Sequence, residues 1–374
     1  MTIDTSAWKT YKFGDVARNL TTAIQDPLLE GIERYVGLEH IMPGNIHIKS
    51  WGNVAGGTTF TRVFHQGQVL FGKRRAYQRK AALAEFDGIC SGDILVFEAN
   101  EKYVVSELLP FIVQSDKFFD YAIKTSAGSL SPRTKFKDLA KYSFKLPPLD
   151  EQKRLADLLW SVNESINKYC NLLRKTEVCA KSFIKKVIEQ AEEKVVGLID
   201  VCDIVKDKPQ DFKGEKKYYS TGAVHASSQD EYELITFRNR PSRANVYPKI
   251  NDTGFAVMKN TKKIIFIDGA YNSSIFSTGF VFLRAKENIL PKYLYYIVRS
   301  DFFQNQKDKK AVPGIMGGIR KNDIEKIKFP LFANSKQYEI VARLDNFELI
   351  INEAKKIIVA MKDIQKQIIN QIFG

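Results

Sequence analysis

"FKLPPLDEQKRLADLL", residues 144–159, decides how the rest of the chain is read. Pro147 and Pro148 hold the backbone extended and forbid helix just before them. Asp150 stands where an N-cap is expected, and with Glu151 it suits the positive end of a helix dipole. Beyond them, apolar and small residues recur at alternating spacings of four and three: Leu155, Leu159, Val162, Ile166, Tyr169, Leu173, Thr176, Ala180, Phe183 and Val187. A sustained period of 3.5 is a coiled-coil seam. The spacing predicts a helix of about 40 residues, roughly 60 Å long at 1.5 Å per residue.

The same seam ends the chain, moved by 185 residues: Ile340, Leu344, Phe347, Ile351, Ala354, Ile358, Met361, Gln365, Ile368 and Ile372. Other landmarks coincide at that shift. Asp15-Val16 falls on Asp200-Val201, Gly37 on Gly222, Ser115-Asp116 on Ser300-Asp301 and Gln152 on Gln337. With a two-residue slip, "VLFGK" (69–73) meets "AVMKN" (256–260), and "CSGDILVF" (90–97) meets "STGFVFLR" (277–284). The chain is therefore read as a repeat.

Each repeat opens with about 140 residues of short β-like runs: "GQVLFG", "GDILVF" and "YVVSE", then "GFAVMK", "KKIIFID" and "GFVFLR". Helical runs intervene, as in "ELLPFIVQSDKFFDYAI" and "PKYLYYIVRSDFFQNQ". The predicted fold class is α+β, with two repeated mixed α/β domains separated by two long helices packed as an antiparallel coiled coil. The expected boundaries are 1–148 for the first domain, 149–193 for the central helix, 194–333 for the second domain and 334–374 for the C-terminal helix. Each helix presents one apolar seam, and the other copy is its expected partner. The rival is two helices that each seek another protein.

The 374 residues include 27% charged and 44% hydrophobic side chains, a globular composition. No apolar run is long enough to span a membrane. The opening "MTIDTSAWKTYKFGD" lacks a basic-then-apolar signal, so a cytoplasmic protein is expected. Cys90, Cys170, Cys179 and Cys202 form no C-x-x-C pair, which argues against a zinc site or a disulfide framework. His40, His47, His65 and His225 are dispersed. The net charge of +14 is uneven: +4 over 1–148, zero over 149–193, +9 over 194–330 and +1 over 331–374. Two basic blocks separated by neutral helices suit a polyanion, against the plainer reading of charge for solubility.

Motifs of catalysis are missing. "GGIRKN" (317–322) lacks the G-K-[ST] end of a phosphate loop, and no [ND]-P-P-[FY], H-x-x-x-H or G-x-S-x-G occurs. Asp211 with Glu215 and Lys217 makes a nuclease-like fragment, but a solvated loop is the stronger reading. Basic clusters say more. "GKRRAYQRK" (72–80) sets Lys73, Arg74, Arg75, Arg79 and Lys80 around Tyr77, suited to phosphate or guanine contact. The alternative is a strand edge blunted by charge. In the second repeat, Arg238, Arg240, Arg243, Lys259, Lys262 and Lys263 are the matching candidates. A third pair, "TSAGSLSPRTKFKDL" (125–139) and "AVPGIMGGIRKNDIEKI" (311–327), places Arg133 and Arg320 beside Gly/Ser turns that suit a phosphate oxygen or serve only as turns.

These residues resemble the DNA-specificity subunit of type I restriction–modification enzymes. The carriers are "KFGDV" (12–16), "ICSGDILVF" (89–97), "SAGSLSPR" (126–133) and above all "LPPLDEQKRLADLL" (146–159); "STGFVFLR" (277–284) and "PKYLYYIVRSDFF" (291–303) are similar. The resemblance implies two target-recognition domains that each read half of a split double-stranded DNA site. It implies helices that space them and dock methyltransferase subunits, with a restriction–translocase subunit joining the larger complex. It implies no catalysis and no cofactor on this chain; the complex uses S-adenosylmethionine, ATP and Mg²⁺. In the second repeat "FPLFANSKQ" (329–337) departs from the P-P-L-x-E-Q pattern, and the missing proline and glutamate predict a weaker helix start or altered partner contacts there. The competing functions are a stand-alone nuclease or methyltransferase and a non-catalytic RNA-binding adaptor.

Overall fold

Short strands, none longer than six residues among those described, and short helices build two units of like topology, each finished by parts of two long helices. The computed structural model describes residues 7–191, 194–224, 230–312 and 317–373. The first unit takes in 1–170 and 356–374, the second 171–355. His225 and residues 313–316 of the second Gly-rich stretch lie outside the described residues.

The first unit runs β1 (Lys9–Lys12), α1 (Phe13–Val16), β2 (Ala17–Leu20), β3 (Arg34–Val36), β4 (Gly52–Asn53), β5 (Arg62–Phe64), β6 (Val69–Gly72), β7 (Ala81–Leu83), β8 (Gly88–Cys90), β9 (Ile94–Ala99), α2 (Leu109–Gln114), α3 (Asp116–Lys124), α4 (Phe136–Leu139), β10 (Ser143–Leu146) and α5 (Leu149–Glu189). Its sheets have the orders β2-β9-β6-β7 and β4-β3-β8-β5, with a β1-β10 ribbon. Only β3 and β8 pair in parallel among these strands. Phe13, Phe71, Phe97, Phe118 and Phe119 form the core. Leu159 of α5 and the chain's last turn, Ile369, Ile372 and Phe373, close over it.

The second unit repeats this with β11 (Val195–Gly197), α6 (Leu198–Val201), β12 (Cys202–Ile204), β13 (Lys216–Tyr219), β14 (Glu233–Ile235), β15 (Ala244–Val246), β16 (Thr253–Ala256), β17 (Ile264–Phe266), β18 (Ile275–Ser277), β19 (Phe280–Ala285), α7 (Pro291–Arg299), α8 (Asp301–Lys310), α9 (Lys321–Ile324), β20 (Lys328–Pro330) and α10 (Asn334–Phe373). The sheet orders correspond: β12-β19-β16-β17, β14-β13-β18-β15 and β11-β20. Phe255, Tyr293 and Phe303 sit at the core with Ile184 and Ile188 of α5 and Ile340 and Leu344 of α10.

α5 and α10 pack together in antiparallel sense. Gln365 Nε2 meets the Leu159 carbonyl in the first unit, and Phe183 meets Phe347 in the second. Leu159, Ile166, Ile340, Leu344, Ile351 and Ile358 are buried; Leu155, Val162, Leu173 and Phe347 are half-buried. The buried face also takes Gln152, Ala156, Asn163, Ile184 and Ile188, which lie beside the predicted seam. A second flanking row is expected where helices pack on a domain as well as on each other.

Several expectations change in detail. α5 begins at Leu149, so Asp150 lies in the first turn rather than at the cap. "YVVSE" is not a strand: the Tyr103 N–H turns back to the Asn100 carbonyl and Ser106–Leu108 is 3₁₀. Each long helical run breaks at a serine, where Ser115 and Ser300 accept the N–H of Phe118 and Phe303, both at 3.3 Å. The strand registers also correct the repeat alignment. Val69 corresponds to Thr253 rather than Ala256, and Phe97 to Leu283 rather than Arg284. Gly37 follows Val36, the counterpart of Tyr219, so it matches Ser220 and not Gly222. A one-residue error moves every strand side chain to the other face.

Candidate nucleic-acid interface

The basic loop after β6 is a strained turn. Arg75 and Arg79 both adopt left-handed backbone, φ 53° each, and bracket a single 3₁₀ turn, Ala76–Gln78. Non-glycine residues hold this conformation only when neighbours enforce it. Here the Arg75 N–H donates to the Pro132 carbonyl at 2.7 Å, and the Thr134 N–H donates to the Lys73 carbonyl at 3.0 Å. The loop is thereby laced to 131–134, the Ser/Arg segment singled out from sequence.

Most of the loop's cations are turned to internal partners. Arg79 pairs with Asp116, and its Nη2 donates to Asp120 at 3.0 Å. Lys80 Nζ donates to the Leu38 carbonyl at 2.6 Å. Arg133 grips Asp93 through Nε (2.7 Å) and Nη2 (3.2 Å), while Arg74 holds Ser131 Oγ at 3.1 Å. Arg133 holds the Asp93 carboxyl below the usual carboxylate range. Burial, then the nearby Arg62, lowers Lys73. Tyr77 stands out at the tip, 55% exposed, and the buried Arg75 Nε has no protein partner. Tyr77 is thus the open side chain of this loop, while Lys73 and Arg75 are half-buried.

In the second unit the corresponding loop is shorter. Lys263 Nζ donates to the Thr221 carbonyl at 2.6 Å, the counterpart of Lys80 on Leu38. Lys262 pairs with Asp301 at 2.5 Å, and Lys259 is exposed. Arg238 and Arg243 are exposed; Arg240 lies 4.1 Å from the Phe237 ring, and its buried Nη1 has no hydrogen-bond partner. Arg320 is exposed at the start of α9. It corresponds to Lys135, which starts α4, while the bridges Arg74–Arg133 and Met258–Gly318 make Gly318 the counterpart of Arg133. Arg133 and Arg320 are therefore not equivalent: Arg133 stands two residues before the start of α4, whereas Arg320 stands at the start of α9 itself.

Two anchoring side chains escaped the sequence reading. Asp93 organises Arg74 and Arg133. Lys307, fully buried, donates to the carbonyls of Met258 (3.1 Å) and Thr261 (2.8 Å) and so holds the second loop. A lysine in the helical run "DFFQNQKDKK" gives no signal that it points inward. His47 bridges Glu85 (2.7 Å) to Asn163 and Asn167 of α5, a tie between sheet and helix. Asp211 and Glu215 are exposed, and the described residues contain no group of three or more metal-ligating acidic, His or Cys side chains. Nor is any described helix long and apolar enough to cross a membrane.

Residues 5–172 match the family model described as the type I restriction modification DNA specificity domain. The chain is 28% identical to the EcoDI type I restriction enzyme specificity subunit of Escherichia coli, over 44% of this chain and 37% of that one. It is 22% identical to the MjaVIII specificity subunit of Methanocaldococcus jannaschii, over 97% of this chain and 91% of that one. Two solved structures share the fold. One is the type I restriction–modification S subunit from M. genitalium, with TM-score 0.63, 11% identity and coverage of 100% and 98%. The other is a chain from a study of type I restriction–modification complex assembly, with TM-score 0.60, 19% identity and coverage of 98% of each chain. The first repeat thus matches the type I restriction modification DNA specificity domain, and the chain is similar to proteins named type I restriction enzyme specificity subunits.

Proposed function

We propose that this chain reads a bipartite site in double-stranded DNA and docks the methyltransferase subunits that modify it. The observation that carries the reading is one topology built twice with different loops. The sheet orders correspond strand for strand, while "KRRAYQRK" (73–80) is replaced by the shorter "VMKNTKK" (257–263). A shared scaffold with divergent loops suits two modules that read different half-sites. The two recognition domains are taken as 1–148 and 194–333, with helices 149–193 and 334–374 setting the spacing between half-sites.

Tyr77, Arg75, Arg238, Arg243, Lys259 and Arg320 are the basic-loop residues best placed to contact DNA. Arg74, Arg79, Lys80, Lys262 and Lys263 act first as braces for the loops. Docking of methyltransferase subunits is supported by apolar side chains left exposed on the long helices: Leu158 and Leu172 on α5, Ile350 and Ile364 on α10, each 41–50% exposed. S-adenosylmethionine chemistry, and ATP with Mg²⁺ in a restriction–translocase subunit, belong to those partners, in the cytoplasm where the host DNA lies.

Co-expression with a cognate methyltransferase, followed by single-molecule methylation sequencing of host DNA, tests this. The expected result is a methylated motif of two short blocks separated by a fixed unspecified gap. A soluble complex that adds no such motif would falsify the reading.

A further inference from the structure

The edge hairpins of the two units repeat one pairing of a cation with an exposed ring. Arg34 of β3 lies opposite Asn53, which places Trp51 on the diagonal of the same face. Lys217 of β13 lies opposite Leu234, which places Tyr232 on the same diagonal. The parallel pairings Tyr35–Ile89 and Tyr218–Ile275 fix this equivalence. The Arg34 guanidinium stands 4.8 Å from the Trp51 ring centroid, and the Lys217 ammonium 4.6 Å from that of Tyr232. Both rings are open to solvent, 45% and 47% exposed. Among the described residues, neither cation has a side-chain hydrogen bond or ion pair, in contrast to Arg79, Lys80, Arg133, Lys262 and Lys263.

We propose that Arg34–Trp51 and Lys217–Tyr232 are paired contacts to the DNA backbone, one in each unit, with the cation on a phosphate and the ring against the neighbouring sugar. This rests on the DNA-reading function above. A ring beneath the cation orients it while leaving its N–H groups free, which suits a phosphate oxygen. The pair persists at one register although the two sequences around it differ. Trp51 packs edge-on against Phe86, and Tyr232 lies 5.9 Å from the buried Tyr219, so each ring is held in place beneath its cation.

The test uses the full chain, duplexes with and without the methylated motif, and anisotropy across a salt series. Arg34→Met and Lys217→Met are each expected to weaken both duplexes roughly tenfold, with the ratio between them kept. Each is also expected to lower the slope of log affinity against log salt by about one. Quenching of tryptophan emission by duplex is expected to fall in Trp51→Phe. Unchanged affinity and slope in both variants, or lost discrimination at unchanged slope, overturns the assignment and leaves the DNA-reading function intact. An unsubstituted chain that binds no duplex overturns both.

Discussion

Gln152 Oε1 accepts the Val105 N–H at 3.1 Å, and its Nε2 donates to the carbonyls of Tyr103 (3.0 Å) and Pro147 (2.9 Å). Gln337 does the same 185 residues later, to Leu290 N–H (2.8 Å), Asn288 O (3.1 Å) and Phe332 O (2.9 Å). Both glutamines are almost wholly buried in the first turn of a long helix. This explains why α10 starts cleanly at Asn334 without the two prolines and glutamate of the first copy. The glutamine, present in both, seats the helix on its domain. Replacing Gln152 by Ala strands a buried donor and two carbonyls, so a loss of about 3 kcal/mol is expected in urea unfolding. Glu151→Ala, at the same helix start, is expected to cost under about 1 kcal/mol. Equal losses in the two variants would refute this role for Gln152.

Asp93 supplies an acid-sensitive brace. Its carboxyl is held below the ordinary 3.8 by Arg133, so the folded state favours the ionised form. That stability is fully present above the unfolded value and is lost as pH falls through the folded one. Asp93→Asn should lower the Tm by roughly 2–4 °C at pH 7. The gap between variant and parent should close as pH drops below 3.8. A gap that is constant from pH 7 to acid would mean that the pair with Arg133 is not its source.

Thiol reactivity should sort by burial. Cys179 is exposed and Cys170 half-buried, while burial pushes the thiols of Cys90 and Cys202 up to about 12. An aromatic disulfide reagent at pH 8 is expected to titrate Cys179 fast and Cys170 slowly. Cys90 and Cys202 should react only after denaturation. Four fast thiols in the native chain would contradict the two cores.

The proposed spacing role of the long helices predicts a ruler. Seven residues inserted at matched points of α5 and α10 add about 10 Å, roughly three base pairs. Both half-sites should stay the same while the unspecified gap lengthens. Methylation sequencing of the variant reads this directly, and an unaltered gap would remove the ruler.

The two long helices were legible from sequence because a 3.5-residue period and a proline-bounded start are local properties. Leu159, Ile166, Ile340 and Ile351 could be placed on the buried face without any long-range information. The repeat was legible for the same reason, since Ser115 and Ser300, or Gln152 and Gln337, sit beside helix starts that local chemistry marks. Strand register was not. Val69 and Thr253, or Phe97 and Leu283, correspond only through hydrogen-bonded partners tens of residues away, and runs of apolar residues leave the register degenerate. Nor could the fate of each cation be read. Arg79, Lys80 and Arg133 look in sequence like Tyr77's companions at a DNA surface. Whether such a charge faces solvent or an internal carboxylate depends on Asp116, Leu38 and Asp93, which the chain brings near only when the sheets close. Pairing across strands likewise set Arg34 over Trp51 and Lys217 over Tyr232. Periodic burial is written along the chain, whereas the partner of a charge is decided by tertiary contact.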